Sequence, residues 1–324
     1  MRILITTGLS ATDIGGPAHY GLNLANEFTK LGHKVNIIAY GPKEKELPIV
    51  VRHLYFVLRI FGDILRSDYI LTTDTYSVAV PTVILSRLFF KRVAARIGGD
   101  FLWESYVERT GEKITLKNFN AQMPSLSIKE SIIFLFIKIF TKLIHKLAFN
   151  TNWQKDIWQR TYDIKKSKIC VIKNFIPSKN FYPTHNQVFL WAGREIKLKN
   201  IQLLRELSAE FPIETYYELP HSVLQDKIKN CYAVILPSFS EVCPNFVLEA
   251  ISYGKPFIMT RETGMKEVCK NGGIFVDPFD EDALKESIKN MLDSVKYMRY
   301  QKELKSLQPR SWRQVAEEFL SLCQ

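Results

Sequence analysis

The chain has 324 residues, 46% of them apolar and 24% charged, with a formal net charge of +11. That length holds two domains of ordinary size, and the composition excludes a disordered or fibrous chain. Five scattered cysteines (Cys170, Cys231, Cys243, Cys269, Cys323) without a C-x-x-C pair exclude a disulfide framework and a zinc site, and point to reduced thiols in the cytoplasm. No apolar window reaches the roughly eighteen residues a membrane span needs. No charged-then-apolar leader precedes the first strand-like run, so no signal peptide is expected. The positive balance fits an anionic membrane surface, nucleic acid or a phosphate-bearing substrate. With no recognised motif and no basic–aromatic interleaving, nucleic acid is not an expected partner.

Short β-branched runs alternate with longer helical patterns along the chain. The first series predicts strands at Arg2–Thr6, Lys34–Ala39, Tyr69–Thr72, Arg92–Ile97, Leu147–Asn150 and Ile169–Ile172. The second predicts them at Val188–Ala192, Ile213–Tyr217, Ala233–Leu236, Phe257–Thr260 and Gly273–Val276. Strands separated by helices imply βαβ units and parallel sheets. The proline-bearing, aperiodic stretch Asn174–Pro183 reads as the linker between two Rossmann-like domains that face a cleft. The expected division is residues 1–173 and 174–309, followed by a C-terminal segment, 310–324.

The first strand runs into a loop containing Gly15 and Gly16, which opens a helix. Adjacent glycines at a helix start let the backbone approach a ligand, and free N–H groups favour an anion. The spacing is neither G-x-G-x-x-G nor a P-loop, so it is equally compatible with an ordinary tight turn. After the fourth strand, Gly98-Gly99-Asp100 places Asp100 either facing the cleft, with room for a sugar, or capping the next segment. Further on, Ile132–Ala148 is apolar except for Lys138, Thr141, Lys142, His145 and Lys146. On one helix this would give a basic amphipathic element, either a core helix with a wet face or a membrane-surface element.

The strand opening the second half ends at Gly193-Arg194, with Lys199 five residues beyond. A guanidinium fork and an ammonium leaving one strand end make a diphosphate clamp, although each alone is an ordinary surface charge. The most informative run is Pro237–Ala250, where Glu241 lies in a strand-to-helix loop and Glu249 about one turn into the following helix. Ligands of open α/β sheets bind at that corner, and two acids there suit sugar hydroxyls. The bland alternative is a loop Glu and a surface Glu. Last, Ser311–Leu320 predicts an amphipathic helix capped by Ser311, with an apolar stripe of Trp312, Val315, Ala316, Phe319 and Leu320.

Taken together, these motifs resemble glycosyltransferase family 4, retaining enzymes of GT-B fold. Glu241 to Glu249 resembles that family's E-x7-E motif, and Gly193-Arg194 with Lys199 its phosphate motif. Val171-Ile172-Lys173-Asn174 resembles its V-I-P-N junction, with Lys173 in place of Pro. Gly254-Lys255-Pro256 followed by Thr263–Val268 resembles its G-x-P and G-G-x-x-E sequences, and Gly15-Gly16 with Leu31-Gly32-His33 resembles its opening. The chain departs from it at Val242-Cys243-Pro244-Asn245, where many members are Gly-rich. It departs again at Gly99-Asp100, where many carry a His.

The resemblance implies that Arg194 and Lys199 hold a donor diphosphate, Glu249 binds the nucleotide ribose, and Glu241 orients the donor sugar. Gly15, Gly16, Gly193 and Asn245 would contact substrate, and Asp100 would reach the sugar from the first domain. The terminal helix would cross back onto the first domain. The implied reaction is metal-independent and needs no cofactor, the nucleotide diphosphate sugar being the substrate. Its acceptor would be a glycan or lipid-linked hydroxyl in cell-surface polysaccharide or lipopolysaccharide synthesis, and the enzyme would be cytoplasmic or peripheral on the inner membrane face. The competing reading is a basic, membrane-surface protein that binds a nucleotide sugar or glycan without turnover.

Overall fold

The computed structural model describes residues 1–8, 16–41, 44, 46–184 and 186–323. Gly15 lies outside this set. Two parallel sheets organise the described residues. The first has strand order β2-β1-β3-β4-β5-β6, comprising β1 (Arg2–Thr7), β2 (Lys34–Ala39), β3 (Tyr69–Thr72), β4 (Val93–Ile97), β5 (Lys146–Phe149) and β6 (Ile169–Val171). The second has order β11-β10-β9-β7-β8, comprising β7 (Phe189–Gly193), β8 (Ile213–Tyr217), β9 (Ala233–Leu236), β10 (Phe257–Thr260) and β11 (Gly273–Val276). The expected strands are all present, each end within one residue or so. This is the two-domain α/β architecture anticipated from the alternating pattern.

The reason lies in burial. The inner strands β3, β4, β9 and β10 are buried at every position, as strands covered by helices on both faces must be. The edge strands β2 and β8 are only partly covered and read as mixed sequences. Crossover helices supply the covering layers, and right-handed connections leave few alternative ways to wind them.

The chain separates into two compact units. The first comprises residues 1–102, 124–174 and 312–324, and the second 103–123 and 175–311. The difference from a contiguous first half is the excursion 103–123, which belongs with the second sheet. Three contacts hold it there: Leu116 N donates to Ser240 Oγ (2.9 Å), Lys197 N to Glu108 Oε1 (2.7 Å), and Lys197 Nζ to the Glu108 carbonyl (2.9 Å).

The expected basic helix is corrected as well. The helix spans Ile128–Leu143, Thr141 on it is buried, and Lys146 already opens β5, so these polar groups do not share one helical face. Ser127 and Glu130 form a capping box at its start, which fixes where it begins.

In the second unit, Lys255 is fully buried, and its Nζ donates to the carbonyls of Tyr182 and Pro183 and to Thr184 Oγ1. Burial pushes its ammonium below the ordinary lysine range. In the first unit, the terminal helix Trp312–Ser321 buries Val315, Ala316 and Phe319. It packs on the helix Gly16–Lys30, where Tyr20 meets Trp312 edge-on at 4.9 Å and Phe319 at 6.4 Å. Tyr69 at the start of β3 donates its hydroxyl to the Phe319 carbonyl (3.1 Å).

Phe319→Ala should therefore destabilise the first unit by about 3–5 kcal/mol, the usual range for a core Phe truncation. Urea denaturation reads this directly. A loss below about 1 kcal/mol, typical of a surface change, would show that the terminal helix does not anchor that unit.

Candidate active site

The strand order of the second sheet reverses between β7 and β9, which pair through Phe189–Ala233 and Leu190–Val234. Loops that leave such a pair diverge to opposite faces and open a crevice at the carboxyl ends. Both motif-bearing loops begin there. β7 leads into Arg194 and a short turn, Lys197–Lys199. β9 leads through Pro237–Ser240 to Glu241 and then to the helix Asn245–Ser252, with Pro244 at its N-cap. The loops are tied together by Phe239 N donating to the Leu198 carbonyl (2.9 Å). Asn200, in the left-handed region at φ 55°, ends the Lys197–Lys199 turn and donates Nδ2 to the Pro278 carbonyl (2.8 Å). The Lys199 backbone is therefore held on both sides.

Lys199 Nζ meets Glu241 Oε1 at 2.5 Å, with only 19% and 10% of the two side chains exposed. Ser238 Oγ donates to the same oxygen (2.7 Å). The Glu241 amide donates to the Glu262 carbonyl (3.0 Å), and Glu241 bridges to Thr263, so the acid is also anchored to the loop after β10. Arg194 is half exposed and faces Glu104, Nη2 to Oε2 at 3.8 Å. Burial raises the Glu104 carboxyl above its ordinary value; Arg194 and Lys199 pull it down and Glu241 pushes it up, so these four groups share one field.

One turn into the next helix, Glu249 Oε1 lies 3.0 Å from His221 Nε2. Its Oε2 is buried with no protein donor among the described residues. A buried carboxylate oxygen without a donor is costly, and a ligand hydroxyl would satisfy it.

The sequence-derived set is thus distributed as follows. Arg194, Lys199 and Glu241 come together, Gly193 closes β7 beside them, and Glu249 and Asn245 sit on the helix that Glu241 leads into. Gly16, opening its helix, and Asp100, 1% exposed after β4, belong to the first unit. Glu104, Ser238 and His221 are additional. Ser238 is visible in retrospect as S-x-x-E before Glu241. His221 is visible as the first helical residue after β8, the strand beside β7. No spacing points to Glu104, because it reaches the site from the 103–123 excursion.

Residues 183–305 match the family model described as glycosyl transferases group 1. The O-antigen chain mannosyltransferase RfbU of Salmonella typhimurium is 22% identical over 299 residues, covering 82% of this chain and 79% of that protein. Among solved structures, sucrose-phosphate synthase from Thermosynechococcus elongatus aligns with a TM-score of 0.77 at 14% identity, over 99% of this chain and 98% of that one. Anabaena HepE in complex with UDP-glucose aligns at 0.68 and 13% identity, over 99% of each chain. These structural likenesses establish that the chain shares the fold of those two structures.

The Glu249 bond raises the His221 imidazole above its ordinary value, with burial opposing. A raised folded-state value stabilises the fold below the unfolded value, and the benefit disappears as pH rises through the raised one. His221→Gln should cost at most about 1 kcal/mol below about pH 6, given its partial exposure, and progressively less toward alkaline pH. Urea midpoints at the two extremes test this, and an equal loss at both would overturn the charged pairing.

Proposed function

We propose that this protein is a retaining glycosyltransferase that moves a hexose from a nucleotide diphosphate sugar to an acceptor hydroxyl during cell-surface polysaccharide or glycolipid synthesis. The carrying observation is the pair Lys199–Glu241 at the β7/β9 reversal, with Arg194 beside it and the donor-less oxygen of Glu249 one helix turn further on. The match of residues 183–305 to the glycosyl transferase group 1 model supports it. So does the likeness to RfbU, named for an O-antigen chain mannosyltransferase.

In this reading the donor diphosphate lies across Arg194 and Lys199, near the first-turn amides of the helix Asn245–Ser252. Those amides and the helix dipole favour an anion. The free protein keeps both cations close to carboxylates, which a diphosphate must outcompete. Glu249 takes a ribose hydroxyl on Oε2, while His221 holds the other oxygen. Glu241 fixes the Lys199 ammonium and orients the sugar.

As the bond between the anomeric carbon and the diphosphate oxygen breaks, negative charge grows on the leaving group, and the clamp stabilises it. The acceptor hydroxyl attacks on the same face, and its proton passes to the departing phosphate oxygen. Configuration is thereby retained without a protein nucleophile. The acceptor is a glycan or lipid-linked glycan at the inner face of a membrane, and the nucleotide sugar is substrate rather than cofactor. Asp100 is assigned to the donor sugar's hydroxyls, and the Gly15–Gly16 loop to the phosphates and acceptor.

Arg194→Ala and Lys199→Ala should each lower kcat/KM by at least tenfold and up to about 10³, the range for removing one preorganised donor, while circular dichroism stays unchanged. Normal turnover in both variants would refute the clamp. A thermal-shift panel of nucleotide diphosphate sugars should give one selective stabiliser, worth about 2.7 kcal/mol at a hundredfold excess over Kd. Uniform behaviour across the panel would remove the nucleotide site.

A further inference from the structure

The loop that leaves β8 borders the ribose position and has no part in the diphosphate clamp. It runs Glu218-Leu219-Pro220 and enters the helix His221–Asn230. His221, the first residue of that helix, lies 3.0 Å from Glu249 Oε1. Three residues span at most about 10 Å, so the Glu218 backbone stands within that distance of His221. On its other side, β8 pairs with β7 up to Tyr217 and Gly193, so the loop starts where the Arg194 loop starts. All of these residues belong to the second unit.

Glu218 sits in the left-handed region at φ 49°. Among the described residues Phe90, Met123, Asp163 and Asn200 do so as well, and each of them follows a helix or a short helical turn. Left-handed backbone is the ordinary way to close a helix end. Glu218 instead follows a strand, so capping gives no account of it. A non-glycine held there carries a cost that glycine avoids, and such residues gather at ligand sites.

The polar groups of the loop are uncommitted. The Glu218 side chain is exposed and has no hydrogen-bond or ion-pair partner among the described residues, and the Leu219 amide makes no backbone hydrogen bond there. Two cations at the β8 end are engaged with its tyrosines instead. Arg205 Nη2 donates to the Tyr217 hydroxyl (2.8 Å) and to Glu195, and Lys227 Nζ donates to the Tyr216 hydroxyl (2.6 Å). The loop therefore presents an acceptor-only carboxylate next to a backbone donor, with no cation paired to the acid.

We propose that the donor nucleotide carries guanine and that Glu218 reads it, its carboxylate accepting from the ring N1–H and the 2-amino group while the Leu219 amide donates to O6. The pairing edge of guanine runs acceptor, donor, donor, which is the complement of an amide beside a carboxylate. Adenine turns a lone pair at N1 toward the acid, and uracil flanks its one N–H with two carbonyl oxygens, so a carboxylate repels both. A site built around such a hydrogen-bonding edge discriminates strongly against bases that leave it unmatched. Specificity for guanine rests on the nucleotide sugar donor proposed above and names its base. With the ribose on Glu249 and the diphosphate on Arg194 and Lys199, the base continues past the ribose to the loop that precedes His221.

Isothermal titration of the full chain with GDP, IDP, UDP and ADP tests this. GDP should bind at least tenfold more tightly than UDP or ADP, and IDP, which lacks the 2-amino group, should fall between. Glu218→Gly should weaken GDP at least tenfold and erase its margin over IDP, as expected for losing hydrogen bonds to a charged group. The nucleotide-free Tm should hold in that variant, because glycine adopts the left-handed backbone freely; lost affinity then cannot be blamed on misfolding. Glu218→Gln, which keeps the size but turns one acceptor into a donor, should narrow the GDP preference in the same direction. Tightest binding of UDP or ADP would overturn guanine while leaving the nucleotide donor in place. No binding by any of the four would overturn both. A GDP preference untouched by Glu218→Gly would remove Glu218 from base recognition and overturn the proposal.

Discussion

The ion pair between Lys199 and Glu241 is the constraint on which the second unit's crevice depends. Taking an ammonium and a carboxylate largely out of water costs several kcal/mol per ion unless geometry and further hydrogen bonds offset it. Here Ser238 donates to the shared oxygen, and the Glu241 backbone is anchored to the strand β10 loop. The Phe239–Leu198 bond then holds both loops in register. Such a pair is weak evidence for stability, since well-packed apolar residues commonly do as well. It is better evidence for a site that must keep a positive group at a fixed point while no anion is present. The order reversal between β7 and β9 supplies that point, and without it the two loops would not diverge to make room for a ligand.

Much of this is legible in the sequence. The strands are readable because inner strands of parallel sheets are continuous apolar runs, such as Ala-Val-Ile-Leu at 233–236, bounded by turn residues. Arg194, Lys199, Glu241 and Glu249 are readable because each follows such a run at a short distance, and short loops leave little freedom. What escapes is what depends on chain segments distant in sequence. Glu104 joins the clamp from some ninety residues upstream of Arg194, and no local period carries that information. The helix Ile128–Leu143 is misread at its end because Leu147-Ala148-Phe149 resume the apolar run after His145 and Lys146, and periodicity does not separate a helix from the buried strand that follows it.

The two surfaces of interest divide the labour between the units. The second unit concentrates paired charge in a crevice, where low dielectric strengthens every electrostatic interaction. The first unit instead exposes apolar side chains, Leu54, Leu58 and Phe90 among them, on a helix and a turn.

The excursion 103–123 carries a further implication for how this architecture can be rearranged. A fold made of two sheets joined by an aperiodic linker invites recombination at Asn174, as though each half were an interchangeable cassette. Glu104, Glu108 and Leu116 prevent that here, because the front half of the gene encodes part of the rear unit's scaffold. A chimera spliced at the linker would set one parent's helix against the other parent's β7 and β9 loops. Such a hybrid keeps these contacts only where both parents supply matching residues at each end of them.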